Sequence, residues 1–155
     1  MDRKPFFMES IVIEAPKELI FSIVESGDTQ REWMKGLIEG RVIYKTSDLI
    51  GTEFEEIIDI ENRRHVLHGR ILAYEKDHIL KVSLDEDELE FKLEYDVERL
   101  ERNKSLLILK CWLIDSFNMK MLVKLYLEKK LEKQLENIKK VSEERYKDMK
   151  KELQN

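Results

Sequence analysis

Apolar and polar residues alternate along most of the chain up to about residue 115, and from about Phe117 the period becomes helical and stays so almost to the C-terminus. Residues 6–14 are β-prone and end at Ala15-Pro16, where a proline fits the first turn of a helix because its missing N–H has no partner to lose. A short helix is predicted next, with Leu19, Ile20, Ile23 and Val24 on one face, stopped at Ser26-Gly27-Asp28. A second short helix over residues 30–34 follows, and Gly36 and Gly40 flank a change of direction.

Successive β-like runs come next, and their hairpin registers can be checked against each other. A turn at Asn62-Arg63 sets Ile58 opposite Leu67, Phe54 opposite Ile71 and Thr52 opposite Ala73. A turn at Lys76-Asp77 sets Ala73 against Leu80 and Ile71 against Val82, and one at Glu86-Asp87 pairs Val82 with Phe91 and Leu80 with Leu93. The alternation Leu89, Phe91, Leu93, Tyr95, Val97 is unbroken, so three hairpins share one buried face. The opposite face carries Glu53, Glu55, Arg70, Lys81, Glu90, Lys92, Glu94 and Asp96, with Glu55 across from Arg70. The last strand, residues 105–115, is apolar on both parities, which implies partial cover on its second face. The closing helix places Leu127, Leu131, Leu135, Ile138, Val141 or Ser142, Arg145 or Tyr146, Met149 and Leu153 in one stripe over roughly nine turns. Such a helix either lies across the sheet or projects and dimerises through its last turns. The class is α+β: a curved antiparallel sheet of about six or seven strands against one long helix.

Composition narrows the function. The 155 residues suit one domain, and 28 basic residues are dispersed among 33 acidic ones for a net charge of -5, which argues against a nucleic-acid partner. One cysteine, Cys111, sits in an apolar run and has no partner for a disulfide or a CxxC metal site, so a reducing, cytoplasmic setting is expected. No apolar run approaches the roughly 20 residues that cross a bilayer.

Glu56 is the polar residue that stands out, because alternation sends it inward beside Phe54, Ile58 and Leu67, with Gly69 as its expected cross-strand neighbour. It is either an acid, base or ligand anchor with a raised pKa, or a solvated carboxylate at a cavity mouth or bulge. Tyr95 also faces inward, as core or as a hydroxyl directed at a ligand. His65 and His68 differ by an odd step and cannot share a metal, and no metal or cofactor site is expected. Trp112 could cover either face of its strand. Met119, Met121, Leu122, Val123, Leu125 and Tyr126 make an apolar entrance to the long helix, a candidate gate or plain core. No nucleophile elbow, phosphate loop or dinucleotide fingerprint is present.

Taken in order, the segments at residues 11–21, Glu32-Trp33-Met34-Lys35-Gly36-Leu37, Ile50-Gly51-Thr52-Glu53-Phe54, His68-Gly69-Arg70-Ile71 and residues 130–140 resemble the START-like superfamily of Bet v 1, polyketide cyclase/dehydrase and lipid-transport proteins. The resemblance implies a helix-grip fold with two short helices after the first strand and a cavity between sheet and helix. On this sequence the implied lining is Trp33, Phe54, Glu56, Ile58, Leu67, Ile71, Val82, Phe91, Leu93, Tyr95, Met121 and Leu125, with Trp33 closing one end. The sequence departs from the usual pattern at Lys35 and at the charged hairpin tip Asn62-Arg63-Arg64, where proline is common. Three functions follow from the resemblance: a carrier of a small apolar molecule such as a lipid, isoprenoid or aromatic metabolite; a cyclase or dehydratase with Glu56 as acid/base; or a co-chaperone-like interaction module. Either a monomer or a homodimer is compatible with the sequence.

Overall fold

A computed structural model describes residues 4–86, 89–114 and 121–154, with the side chains of 121–123 outside the description. The chain runs β1 (Phe7–Ile13), α1 (Lys17–Glu25), α2 (Gln30–Trp33), β2 (Leu37–Tyr44), β3 (Glu53–Ile60), β4 (Arg63–Glu75), β5 (Ile79–Glu86), β6 (Leu89–Glu101), β7 (Lys104–Ile114) and α3 (Met121–Leu153). The seven strands form one antiparallel sheet in the order β1-β7-β6-β5-β4-β3-β2. It curves around α3 in a helix-grip arrangement, as the sequence predicts.

Pro16 is the N-cap of α1, with φ -65 and ψ 146, one position ahead of the expected first turn. Ile20, Phe21, Ile23 and Val24 form the buried face of α1, and Leu19 is only partly covered. The turn after α1 brings Trp33 under the helix, where its indole Nε1 donates to the Ile23 carbonyl at 3.1 Å. α3 then locks the two short helices to the sheet. Asn137 Nδ2 donates to the Trp33 carbonyl at 3.1 Å, and Arg145 donates to both carboxylate oxygens of Glu32 at 2.7 and 2.9 Å. Leu131, Leu135, Ile138 and Ser142 are buried along the helix stripe, but burial ends at Tyr146. Met149 and Leu153, expected on the same stripe, are exposed because the helix has run past the edge of the sheet.

The common buried face of the hairpins is present, but two registers differ from those expected. The β3–β4 turn is Glu61-Asn62, both with positive φ, so Ile58 pairs with His65, Glu56 with Leu67 and Phe54 with Gly69. The β5–β6 pairing puts Val82 opposite Leu93 and Leu84 opposite Phe91, with Glu86 opposite Leu89 and the turn residues outside the described chain. Each pairing moves by two positions, which leaves every side chain on its expected face. On the outer surface the same slip gives Arg70 to Glu53 at 2.7 Å rather than to Glu55, which pairs with Arg41 instead.

Ala73 does not face Leu80. An irregularity between Ile71 and Ala73 switches parity, and Tyr74 takes the inward place opposite Leu80, with its ring 5.8 Å from that of Phe21. Gly40 is no corner but an interior residue of β2, paired with Glu56. Ser105, Leu107, Leu109 and Cys111 of β7 are buried, while Leu106, Ile108 and Trp112 are half-covered on the other face, where Lys81 Nζ lies 4.6 Å from the Trp112 ring. No described helix is long and apolar enough to cross a membrane.

Candidate functional site

The curvature of the sheet leaves two chambers on its inner side, and Glu56 lines both. The first, about 190 Å³, lies between strands β3–β6 and the first turns of α3. Ile58, Leu67, Phe91 and Leu93 line it together with Leu84, Leu89, Met34, Leu127 and Leu131. The second, about 300 Å³, lies between β2–β5 and the α1–α2 connection, where Phe54, Ile71, Val82, Leu80 and Tyr74 line it. The residues expected to share one cavity are thus divided, and Glu56 is the residue common to the two linings. Ligand pockets commonly run from about 300 to 1,000 Å³; the first chamber is below that range and the second at its lower end.

Glu56 is only 5% exposed. Among the described residues no hydrogen-bond partner reaches its Oε2. Burial holds its pKa up at about 7, and the Lys130 ammonium on α3, which lines the first chamber, pulls partly the other way. The reciprocal holds for Lys130: burial lowers its pKa, and the Glu56 charge offsets part of that. The open space beside Glu56 does not come from Gly69. A Cβ at Gly69 would fall 2.2 Å from Cζ of Phe54, whose ring already fills that place. It comes from Gly40 on the other neighbouring strand, where a Cβ would meet nothing closer than 3.9 Å.

The remaining expected residues take other places. Tyr95 is buried and donates its hydroxyl to Gln134 Oε1 at 3.1 Å, with its ring edge-on to Trp33 at 5.9 Å. Burial pushes that hydroxyl's pKa far up, so it remains a donor. Trp33 is 1% exposed and sits behind the chambers as core, outside the lining of either one. Leu125 is 47% exposed and lines neither chamber; its neighbour Tyr126 lines the first. Met119 and the side chains of Met121, Leu122 and Val123 lie outside the described residues. Burial pushes the Cys111 thiol up to about 12, which removes it as a nucleophile at neutral pH.

Sequence reasoning did not single out Lys130, Gln134 or the His65–Glu86 pair, in which His65 Nδ1 lies 2.7 Å from Glu86 Oε1 in the lining of the first chamber. A signal for the first two was present: Leu127, Lys130, Leu131 and Gln134 follow the i, i+3, i+4 pattern, so two polar residues interrupt a stripe that is otherwise apolar. His65 and His68 do face opposite ways, and His68 is exposed on the outer surface. Among the described residues no cluster of three or more His, Cys, Asp or Glu side chains is arranged to hold a metal.

By sequence the chain matches no protein-family model and no curated protein. By structure it is similar to a START superfamily protein from Mycobacterium smegmatis, with a TM-score of 0.71 at 14% identity over 92% of this chain and 97% of that one. It is also similar to the Zhui aromatase/cyclase from Streptomyces sp. R1128, with a TM-score of 0.75 at 10% identity over 90% of this chain and 93% of that one. The di-domain aromatase/cyclase StfQ of the steffimycin biosynthetic pathway matches with a TM-score of 0.75 at 13% identity. There the match covers 88% of this chain and 45% of StfQ, so the chain spans less than half of that protein. The fold is therefore START-like, and these likenesses speak to fold alone.

Proposed function

We propose that this chain binds a small, largely apolar molecule in the two chambers between sheet and α3, with a polar group of that molecule meeting Glu56. The observation that carries the reading is the Glu56 carboxyl, buried, with one oxygen unpartnered among the described residues, in the lining of two spaces walled mainly by hydrocarbon. A buried polar atom left alone costs roughly 1–3 kcal/mol, and a ligand donor placed there recovers it. The apolar walls supply affinity at about 25 cal/mol per Å² of hydrocarbon removed from water.

The test is native mass spectrometry of freshly purified protein, joined to titration with 2-naphthol as a probe of chamber size. Wild type should retain a small molecule or take up the naphthol. Leu67→Trp, which places an indole beside Glu56 in the first chamber, should weaken that uptake by about tenfold or more, a loss of about 1.4 kcal/mol. Equal uptake by the two proteins would put the binding elsewhere.

A second reading, a cyclase or dehydratase, is favoured by one feature: a carboxyl with a pKa of about 7 exchanges protons efficiently near neutrality. Under that reading wild type converts its retained molecule to a product lighter by one water, and Glu56→Gln binds the molecule without converting it. Conversion by the Gln variant at the wild-type rate would remove Glu56 from any chemistry.

A further inference from the structure

The two edges of the sheet are treated differently. At the β1 edge, α3 supplies partners for the backbone: Lys139 Nζ donates to the Val12 carbonyl at 2.9 Å, and Glu143 accepts from the Glu14 N–H at 2.8 Å. β2 is the other edge, and every residue from 39 to 44 is exposed. It presents three consecutive apolar side chains, Val42 at 62%, Ile43 at 52% and Tyr44 at 62% exposed, with Ile50 at 46% on the following connection. A bare edge with apolar side chains is a template for another strand, and folds that must stay single guard such edges with charge or cover. Here the irregularities at residues 38 and 43 bound a regular stretch over 39–42.

We infer that β2 pairs antiparallel with β2 of a second copy about a two-fold axis at Gly40, joining the two sheets into one. Charge complementarity identifies the occupant. In that register Glu39 faces Arg41 of the second copy and Arg41 faces its Glu39, and both pairs lie inside the regular stretch. Centring on Arg41 sets like charges on each other. Centring on Val42 pairs Glu39 with Lys45 but leaves Arg41 against Ile43 and runs across the irregularity at residue 43. Arg41 is free to serve: its guanidinium is 60% exposed and engages Glu55 through one terminal nitrogen at 3.3 Å, leaving other donors to a partner.

The test uses the full chain in sedimentation over a wide concentration range, with circular dichroism to show that each variant folds. Wild type should pass from monomer to dimer. Arg41→Glu sets Glu39 against a new glutamate, and Glu39→Lys sets Arg41 against a new lysine, twice per dimer by symmetry; each should weaken association by about a hundredfold. Mixed in equal amounts, the two variants should recover a dimer whose native mass is that of one copy of each. Lys45→Glu should dimerise as wild type does. A wild type that stays monomeric throughout, a mixture that stays monomeric, or a dimer lost with Lys45→Glu would each overturn the inference.

Discussion

At about pH 8 the Glu56→Gln protein is expected to be about 3 kcal/mol more stable than wild type, and at about pH 4 the two should coincide. The folded carboxyl has a pKa of about 7 against an ordinary 4.5, so between those values the folded state holds a proton that the unfolded state has lost. Stability therefore falls as pH rises through that window and stays low above it, where the folded protein carries a buried carboxylate whose Oε2 has no partner among the described residues. Below the window both states are protonated and the group contributes nothing. A shift of about 2.5 units at about 1.4 kcal/mol per unit sets the expected size. Glutamine is neutral at every pH, so the difference between the two proteins isolates this group from Glu143 and Asp96, whose pKa values also shift on folding. Urea unfolding at a series of pH values checks it. Parallel curves for the two proteins would mean that Glu56 is solvated in solution. Replacing Lys130 by Met should extend the falling limb to higher pH while leaving its start unchanged, because the ammonium pulls the folded carboxyl's pKa down.

The same residue shows what sequence reasoning could and could not see. Its inward direction followed from alternation alone, and alternation survives any slip of two positions. Its neighbours did not follow. The β3–β4 turn places Glu61 and Asn62 at positive φ, and glutamate is a poor advertisement for that conformation, so Asn62-Arg63 looked the better turn. The slip replaced Gly69 by Leu67 opposite Glu56 and put Phe54 over Gly69.

The inward place of Tyr74 depends on an extra residue in β4, which hydrophobic alternation cannot report because Leu72 and Ala73 are both apolar. Lys130 reaches the chamber only because a helix beginning some 60 residues after β3 crosses it. Spacing within α3 puts Lys130 on the inward stripe, but which residue of the sheet that stripe meets is decided by tertiary placement. The division of the lining into two chambers has the same origin: Phe54 and Ile58 share a strand face, yet the sheet's curvature turns them toward different helices.

Gly36→Ala is expected to destabilise the fold by about 3 kcal/mol, and Gly51→Ala by only about 1 kcal/mol, although the two glycines have nearly the same backbone conformation. Their φ values are +87 and +86, so an L-residue meets the same left-handed penalty at both, of order 1–2 kcal/mol. The surroundings differ. A Cβ at Gly36 would sit 2.6 Å from the Asp59 carbonyl oxygen, a backbone atom held in β3, whereas at Gly51 the nearest atom is Thr46 Cγ2 at an ordinary 3.7 Å. Gly36 is also tied to β3 through its own carbonyl, which accepts from the Asp59 N–H at 2.8 Å, so the clash cannot relax without breaking the start of the β2–β3 ladder. Asparagine separates the two causes because it tolerates positive φ but keeps the Cβ. Gly51→Asn should cost less than Gly51→Ala, while Gly36→Asn should cost nearly as much as Gly36→Ala. Denaturant midpoints of the four variants decide the matter: a Gly36→Asn protein close to wild type would show that conformation, not the approach of two strands, requires glycine there. Because Gly36 sets where β2 begins and β2 carries Gly40 to Glu56, the Gly36 variants should also lose uptake of 2-naphthol, and the Gly51 variants should keep it.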